Sequence, residues 1–232
     1  VCITIGSRVG RDLDVPGRDL NGIHFAMDYL MQSNKERQGV KIPMKELITA
    51  KGKRVVIMGG GDTGSDCVGT ANRQRAKSVT QIEVLPEPPL CRTEDMPWPT
   101  HPKILKTSTS HEEGCVRKWS ILTKKFSGEN GCVKRVHAID GSGTEFELAA
   151  DLVILAMGFI HPEHSGLVTD LGLTLAPRGT IYVDNKYMTS KACIFAAGDV
   201  SRGASLVVWA IYEGRSAARE IDRYLMGSTN LP

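Results

Sequence analysis

Residues 53–64 read Lys53-Arg54-Val55-Val56-Ile57-Met58-Gly59-Gly60-Gly61-Asp62-Thr63-Gly64. The four apolar residues from Val55 to Met58 are typical of a parallel strand that is buried on both faces. They lead directly into a G-x-G-x-x-G pattern, and residues 65–71 then combine polar side chains with apolar ones at helical spacing. The order strand, glycine turn, helix predicts a dinucleotide-binding α/β unit.

Each glycine of this pattern has its own predicted task. Gly59 permits the tight turn after the strand, Gly61 lets a pyrophosphate approach the backbone, and Gly64 allows the helix to pack close to the sheet. The helix N-terminus then offers free N–H groups to the phosphates. Glu83 follows Gly64 by about 20 residues, where an acid is expected to meet the adenosine ribose. The alternative is a glycine-rich turn without a ligand.

Composition narrows the class of protein. The 29 Lys and Arg residues nearly balance the 26 Asp and Glu residues, so neither nucleic acid nor an anionic membrane is predicted as a partner. The longest apolar run, residues 152–160, is far shorter than a bilayer span, and we expect no signal peptide. The six cysteines show no C-x-x-C spacing, which predicts inert core thiols of a reduced compartment and no metal or iron–sulfur centre. We therefore expect a cytoplasmic protein.

The first part of the chain begins in an apparent strand. Residues 1–5 are mostly apolar and end at Gly6, with no initiator Met before them, which indicates a fragment or a subunit completed by a missing N-terminal segment. Residues 7–22 are polar and rich in turn signals. Residues 23–32 carry apolar side chains at helical spacing, which predicts a helix.

The middle of the chain changes character after the glycine unit. Residues 86–102 are proline-rich and predict a loop. The alternatives for Trp98 in this loop are a surface contact and packing on the core, and we expect packing on the core. His111-Glu112-Glu113 predicts a solvated turn. From residue 116 to 148 the apolar period becomes two, which predicts an antiparallel meander, and residues 151–158 return to a buried strand that ends at Gly158.

The C-terminal part holds a second strand followed by an acid. Residues 194–197 predict a strand that stops at Gly198-Asp199, and a long helix with one apolar side then ends at Gly227. An acid at the carboxyl end of a strand, before a helix N-terminus, is a place to hold a polar ligand. The alternative is that Asp199 only caps the following turn.

Several of these motifs together resemble the small (beta) subunit of glutamate synthase. The two main ones are Gly59-Gly60-Gly61-Asp62-Thr63-Gly64-Ser65-Asp66-Cys67, and Ala196-Ala197-Gly198-Asp199 with Ser205-Leu206-Val207-Val208-Trp209-Ala210-Ile211. Further similar stretches are Leu85-Pro86-Glu87-Pro88-Pro89, Pro97-Trp98-Pro99 and Asp222-Arg223-Tyr224-Leu225-Met226-Gly227. The resemblance covers the whole chain but only the later half of a family member. The N-terminal iron–sulfur region and the first FAD-binding glycine motif have no counterpart in this sequence.

The resemblance implies an α/β fold of two dinucleotide-binding domains, each Rossmann-like and three-layered, with an NAD(P)H domain inserted into an FAD domain. The implied FAD-binding domain comprises residues 1–22 and 160–232 and is incomplete. The implied NAD(P)H-binding domain comprises residues 23–159. Gly6 and Gly158 lie where family members pass from one domain to the other.

The resemblance also assigns the flavin contacts. Asp199, next to Gly198, would accept hydrogen bonds from the ribityl chain of FAD. Backbone N–H groups near Leu206, Val207 and Val208 would face the flavin pyrimidine and stabilise the negative charge of the reduced ring.

For the nicotinamide, the resemblance points to the glycine turn itself. Gly60 belongs to the cofactor-binding turn, and Asp62 and Thr63 would lie beside the nicotinamide. Hydride would pass from nicotinamide to flavin through ring stacking near Asp62, Thr63 and Val207, with no side chain acting as acid or base. The absence of a C-x-x-C pair argues against a disulfide reductase.

Further electron transfer is implied only outside these residues. Iron–sulfur clusters would lie in the missing N-terminal region or a partner. The glutamate synthase large subunit, or a fused large domain, would form glutamate from glutamine and 2-oxoglutarate.

The choice between NADH and NADPH turns on the end of the second strand. Val84 and Leu85 stand where many NADPH-using family members carry an arginine pair, and Glu83 would repel a 2′-phosphate. We therefore expect a modest preference for NADH. Four other cations stay candidates for a phosphate contact, namely Arg73, Arg75, Lys77 and Arg92.

Two other functions stay open at this point. The same flavin and nucleotide chemistry serves reductases that use ferredoxin or a pyrimidine as acceptor. A nucleotide-binding module without turnover, used as a scaffold or sensor, is the third possibility.

Overall fold

The computed structural model of the chain describes residues 1–232. The strands are β1 (Cys2–Ile3), β2 (Val9–Gly10), β3 (Ile23–Phe25), β4 (Arg54–Met58), β5 (Ser78–Ile82), β6 (Val116–Lys118), β7 (Leu122–Glu129), β8 (Cys132–Ile139), β9 (Glu145–Ala149), β10 (Leu152–Leu155), β11 (Phe159–His161) and β12 (Phe195–Ala196). The helices are α1 (Ala26–Arg37), α2 (Asp62–Arg73), α3 (Thr109–Glu112), α4 (Leu167–Asp170), α5 (Asp199–Arg202) and α6 (Val207–Met226).

These elements divide into two compact units. The central unit is Asp12–Met157, and the flanking unit combines Val1–Arg11 with Gly158–Pro232. The chain therefore leaves the flanking unit once and returns to it, as an inserted domain requires.

The apolar runs predicted as buried strands lie in the middle of the central unit. Its main sheet has five strands in the order β3-β10-β4-β5-β6, and every pairing is parallel. All four residues of β10, and Val55 to Met58 of β4, are buried. Continuous apolar sequence is needed there because both faces of this sheet are covered.

A helical layer covers one face of the main sheet and an antiparallel sheet covers the other. Tyr29 of α1 and Val68 of α2 pack with Ile57 and Ile154 on the first face. The three-stranded sheet β7-β8-β9 packs Phe126, Val133 and Val136 against the second face. This arrangement is a three-layer α/β unit, as predicted.

Two short stretches of the central unit form strands where the sequence indicated something else. Residues 23–25 were expected to begin a helix, but they pair with β10 as the edge strand β3, and α1 starts only at Ala26. Residues 116–118 were expected to open the meander, but they extend the parallel sheet beside β5. In both stretches, pairing with a neighbouring strand of the sheet determines the secondary structure, and the local spacing of apolar residues does not.

The central unit begins earlier than the predicted NAD(P)H-binding domain. The sequence placed that domain at residues 23–159, whereas the compact unit runs from Asp12 to Met157. The backbone N–H of Phe126 donates to the Pro16 carbonyl at 2.8 Å, and three apolar residues of this segment pack against the antiparallel layer, namely Leu13, Val15 and Leu20. The assignment of one nucleotide to each unit stays a prediction.

The proline-rich segment is irregular, as predicted, but two side chain expectations are wrong. Trp98 does not pack on the core: it is 83% exposed, with the Arg92 guanidinium 5.8 Å from its ring centroid. His111 is not in a solvated turn. It lies in α3, half-buried, and its ring is hydrogen-bonded to Gln81 of β5.

The flanking unit contains two small sheets and a helical part. β1 pairs in parallel with β12, and β2 pairs with β11 in antiparallel fashion. Its core is formed by six buried residues, namely Ile3, Val168, Leu173, Ile181, Ala196 and Val200. The predicted C-terminal helix is α6, which ends at Gly227 in the left-handed conformation, φ 77°.

The predicted apolar side of α6 is largely exposed. Val207 is 75% exposed, and Ile211 and Leu225 are also exposed, whereas the buried residues of this helix are Glu213, Ala217 and Glu220. None of the helices combines the length and apolarity needed to cross a membrane.

The cysteines are not all core residues, contrary to expectation. Cys67 is buried in the central unit, and burial raises the pKa of its thiol to about 12. Cys2, Cys91, Cys132 and Cys193 are exposed, and none of the six forms a disulfide.

Candidate dinucleotide-binding site

The glycine turn lies at the carboxyl end of β4, where the main sheet meets the N-terminus of α2. Gly59 has φ 116°, a conformation that L side chains rarely adopt, and a Cβ there would overlap with the Ala156 carbonyl oxygen. A Cβ at Gly64 would overlap with the Gly59 carbonyl oxygen. Glycine at both positions is therefore required by the packing of strand, turn and helix.

Gly61 differs from these two glycines. No protein atom lies within 4 Å of the place where its Cβ would be, and the residue lines a cavity of about 820 Å³. The adjoining first turn of α2 has N–H groups with no intrahelical acceptor, and the helix dipole favours an anion there. The open side of Gly61 thus leaves room for a phosphate to reach the backbone.

The peptide group between Gly59 and Gly60 is held by two side chains, one at its carbonyl and one at its N–H. They belong to Gln81 of β5 and to Glu83, which directly follows β5. The Gln81 amide nitrogen donates to the Gly59 carbonyl at 2.8 Å. The Gly60 N–H donates to a carboxylate oxygen of Glu83 at 2.6 Å. Because glycine readily permits a peptide flip, these two hydrogen bonds determine the direction in which the turn presents its N–H groups.

Glu83 has a structural task in addition to the predicted one. Its second carboxylate oxygen accepts from the Leu85 N–H at 3.0 Å, so both oxygens hold backbone groups. Each carboxylate oxygen has a further lone pair, and Glu83 lines the cavity, so a ribose hydroxyl can still be bound.

A chain of polar side chains continues from Gln81 to the helix α2. Gln81 is only 2% exposed, and its amide oxygen lies 2.9 Å from Nε2 of His111. Nδ1 of His111 accepts from the Ser108 N–H at 3.1 Å and lies 3.0 Å from the Ser108 hydroxyl. The Ser108 hydroxyl is hydrogen-bonded to that of Ser65 on α2.

Burial, and secondarily the positive charge of Arg117, lower the pKa of His111 below its ordinary value. Neutral His111 suits its contacts, because Nδ1 faces an N–H donor and Nε2 faces a carbonyl oxygen. Sequence reasoning missed Gln81, Ser108 and His111. The available signal was Gln81, a long polar side chain beside Ile82 near the carboxyl end of the predicted strand.

The basic residues that line the cavity are not the four that the sequence analysis named for a phosphate contact. The cationic or titratable basic residues that line it are His101, Lys103, Lys106, His111 and Arg117. Arg73 pairs with Glu113 at 3.3 Å, and Arg92 donates to the carbonyls of Met96 and Thr100. The four cations named earlier for a phosphate contact are not among the lining residues.

The flanking unit holds a second glycine turn before a helix. Gly198 has φ 79°, and its N–H donates to the Glu213 carboxylate at 2.9 Å. The other oxygen of Glu213 accepts from Arg202 at 2.8 Å. Asp199 accepts from the N–H and the hydroxyl of Ser205, both at 3.2 Å.

The predicted flavin contacts follow this turn. Leu206 is the N-cap residue of α6, and Val207 and Val208 form its exposed first turn. Gly158 has φ 83°, and its carbonyl accepts from the Arg11 N–H at 2.9 Å. The flavin assignments of all these residues stay predictions.

A glycine turn between a buried parallel strand and a helix, with a cavity at its open side, defines a dinucleotide-binding α/β protein. The chain belongs to the pyridine nucleotide-disulphide oxidoreductase family, whose sequence pattern matches residues 1–214.

The most informative sequence relatives are glutamate synthases. The chain is 47% identical over 245 residues to the NADPH glutamate synthase small chain of Mycobacterium tuberculosis, covering 100% of this chain and 50% of the relative. It is 41% identical to the corresponding small chain of Bacillus subtilis, covering 51% of it, and 42% identical to the NADH glutamate synthase of Schizosaccharomyces pombe, covering 12% of it. The chain thus spans about half the length of the small chains that it matches. The predicted resemblance is confirmed.

Solved structures confirm the predicted fold class. Thioredoxin reductase of T. acidophilum aligns with a TM-score of 0.65 at 23% identity, covering 97% of this chain and 65% of that one. An FAD-dependent pyridine nucleotide-disulphide oxidoreductase from Desulfovibrio vulgaris aligns with a TM-score of 0.57 at 25% identity, covering 95% and 53%. The first likeness bears on the fold alone.

Proposed function

We propose that the chain transfers hydride from NAD(P)H to FAD and is the electron-input part of a glutamate synthase small subunit. The observation that carries the oxidoreductase proposal is the open side of Gly61 at an 820 Å³ cavity, directly before the N-terminus of α2. The identity of 47% along the whole chain to a glutamate synthase small chain selects this activity within the family.

The nucleotide would be held by the glycine turn of the central unit. The N–H groups of Gly61, Asp62 and Thr63 belong to the turn and to the first residues of α2, where an anion is favoured. Glu83 lines the same cavity and offers lone pairs to a ribose hydroxyl.

A preference for NADH belongs to the same proposal. A 2′-phosphate beside Glu83 would meet a carboxylate, and Val84 and Leu85 supply no countercharge. Lys103, Lys106 and Arg117 line the cavity and limit that preference. Both NADPH and NADH enzymes are among the relatives, so the preference rests on these residues.

The flavin would be held by the turn of the flanking unit. Gly198 and Asp199 stand at the end of β12, and the first turn of α6 presents N–H groups beside exposed apolar side chains. That combination suits a ring with an apolar face and a polar edge. When bound, the flavin supplies the electron acceptor for the nicotinamide hydride. The chain's own contribution is to bind and orient the two cofactors, since the proposal assigns no acid or base.

The remaining parts of the proposal lie outside these residues. The electrons would continue through iron–sulfur clusters in another segment or a partner, to a large subunit or fused large domain. The complex would act in the cytoplasm. The relatives named as small chains motivate this partner.

The test uses the full natural chain, purified and titrated anaerobically with NADH and NADPH while the flavin absorbance is recorded. We expect a flavin spectrum that bleaches with either nucleotide, and at lower concentration with NADH. A protein without flavin, or a flavin that neither nucleotide reduces, would favour a scaffold. Addition of a glutamate synthase large subunit then separates glutamate formation from reduction of ferredoxin or a pyrimidine.

A further inference from the structure

The Gly59–Gly60 peptide is oriented by a relay of side chains that starts outside the glycine turn. Gln81 can donate to the Gly59 carbonyl only if its amide nitrogen, and not its oxygen, points to the turn. Gln81 is buried, so water cannot hydrogen-bond to its amide group. The second protein partner of the amide therefore decides its orientation.

That second partner is His111. Its Nε2 lies 2.9 Å from the Gln81 amide oxygen, so an Nε2–H donor holds the amide with its nitrogen toward Gly59. The opposite orientation would place amide N–H against imidazole N–H and carbonyl against carbonyl, and two hydrogen bonds would be lost.

The tautomer of His111 is itself fixed. The Ser108 N–H donates to Nδ1 at 3.1 Å, which leaves the single ring proton of neutral histidine on Nε2. Ser108 is the N-cap residue of α3 and its hydroxyl contacts Ser65 on α2, so the short helix is anchored to both the ring and the helix of the glycine turn.

We propose that His111 is a positioning residue that, through Gln81, holds the Gly59–Gly60 peptide in the orientation that binds the pyridine nucleotide. The inference rests on the proposed nucleotide site of the central unit. It adds a residue on a different element, far from the glycine motif in sequence, to the determinants of affinity.

The donor to Gln81 is present in both protonation states of His111. Neutral His111 carries its proton on Nε2, and a second proton would be added at Nδ1, where it would face the Ser108 N–H. Burial and the positive charge of Arg117 lower the pKa of His111, so the neutral ring that accepts from Ser108 is favoured at neutral pH.

The experiment compares His111→Leu and His111→Gln with the unaltered protein in the full natural chain. The dissociation constant for NADH is measured by its fluorescence at about pH 8, where histidine is neutral. His137→Gln is the matched control, because His137 is also bonded to a serine, Ser127 at 2.7 Å, but lies in the antiparallel layer.

We expect His111→Leu to bind NADH about tenfold more weakly at pH 8, the effect of one lost buried hydrogen bond. His111→Gln places an amide donor where Nε2 stands, so it should bind NADH with the affinity of the unaltered protein. His137→Gln should also leave the NADH affinity unchanged.

Two results overturn the relay. One is equal affinity of His111→Leu and the unaltered protein; the other is a loss of NADH affinity in His111→Gln as large as that in His111→Leu. If His111→Leu does not fold, weakened NADH binding by folded His111→Gln alone overturns the relay. Absence of NADH binding by the unaltered protein would instead overturn the proposed function, so the two failures are distinguishable.

Discussion

The two glycine turns of this chain are held in different ways. In the central unit, the turn at Gly59–Gly60 is fixed by Gln81 and Glu83 and opens on a cavity of about 820 Å³. In the flanking unit, a single carboxylate, Glu213, holds the Gly198 N–H, and the helix that follows exposes its apolar first turn. Each turn is supported by its own unit, but the first opens on a cavity, whereas the second is followed by apolar surface that a ligand or further chain would cover.

This difference suggests that nucleotide affinity and flavin affinity respond to separate sets of residues. Substitutions in the central unit should change NADH binding through the direction of backbone N–H groups. Substitutions in the flanking unit should change flavin retention through one buried carboxylate.

The largest effect is expected from glycines of the central turn. Gly64→Ala places a Cβ against the Gly59 carbonyl oxygen and should destabilise the protein by about 3 kcal/mol, measured by urea denaturation. Gly61→Ala meets no protein atom, so its stability should stay within about 1 kcal/mol while NADH affinity falls. A Gly61→Ala protein with unaltered NADH affinity would contradict the phosphate assignment of this glycine.

The corresponding change in the flanking unit is Glu213→Ala. It leaves Arg202 and the Gly198 N–H without their shared acceptor, and we expect a loss of about 2 kcal/mol in unfolding free energy, moderated by the partial exposure of Arg202. The flavin content of the purified full chain should fall, with NADH affinity unchanged.

Glu220→Ala is the matched control for that variant. Glu220 is also a buried carboxylate of α6, and it accepts from Arg223 at 2.7 and 2.8 Å, but it forms no hydrogen bond with the Gly198 turn. It should lower stability without releasing flavin. Equal flavin loss in both variants would mean that helix stability, and not the turn, governs flavin retention.

A smaller effect is expected from Glu83→Arg. The guanidinium removes a carboxylate that repels a 2′-phosphate, so the ratio of kcat/KM for NADPH to that for NADH should rise about tenfold. Because Glu83 also holds the N–H groups of Gly60 and Leu85, the affinity for both nucleotides should fall together. Unchanged selectivity would count against a ribose contact of Glu83.

The sequence predicted the structure best where a run of apolar residues marks a buried strand and where glycines occupy positions without room for a Cβ. The strand at Val55–Met58, the glycines at 59 and 64 and the helix that begins at Asp62 follow from continuous apolar residues and from positions that exclude a Cβ. The central unit was therefore predictable in fold class, with its antiparallel layer.

Contacts between residues distant in sequence could not be predicted in this way. Ile23 begins a strand because it pairs with β10, and the His111 ring is fixed by hydrogen bonds to Gln81 of β5 and to Ser108. Trp98 is exposed although tryptophan usually packs on a core. Local spacing contains no information on which partner a side chain will meet.

The smallest effect is expected at the opposite end of the main sheet, where Asp151 joins the starts of β10 and β4. Arg54 donates two hydrogen bonds of 2.8 Å to this carboxylate and one of 3.1 Å from its backbone, and Lys134 lies 3.5 Å away. These contacts, the Arg54 side chain first, hold the pKa of Asp151 well below its ordinary value. Asp151→Asn should therefore lower the unfolding free energy by about 1 kcal/mol at neutral pH, since Arg54 is partly exposed and solvent screens the pair.

The pH dependence of this difference has a definite sign. A carboxylate whose pKa is lowered by folding stabilises the protein above its unfolded pKa of about 3.9, and that contribution is lost as the pH falls through the folded pKa. Urea denaturation of both proteins should thus give a constant difference above about pH 5 and a shrinking one below about pH 4. NADH affinity should not change, because Asp151 lies before the strands whose carboxyl ends carry the glycine turn. An Asp151→Asn protein with weakened NADH binding would show that a change at one end of the main sheet affects the other end. The independence of the two glycine turns would then have to be tested by the same measurement of NADH affinity, in variants of the flanking unit.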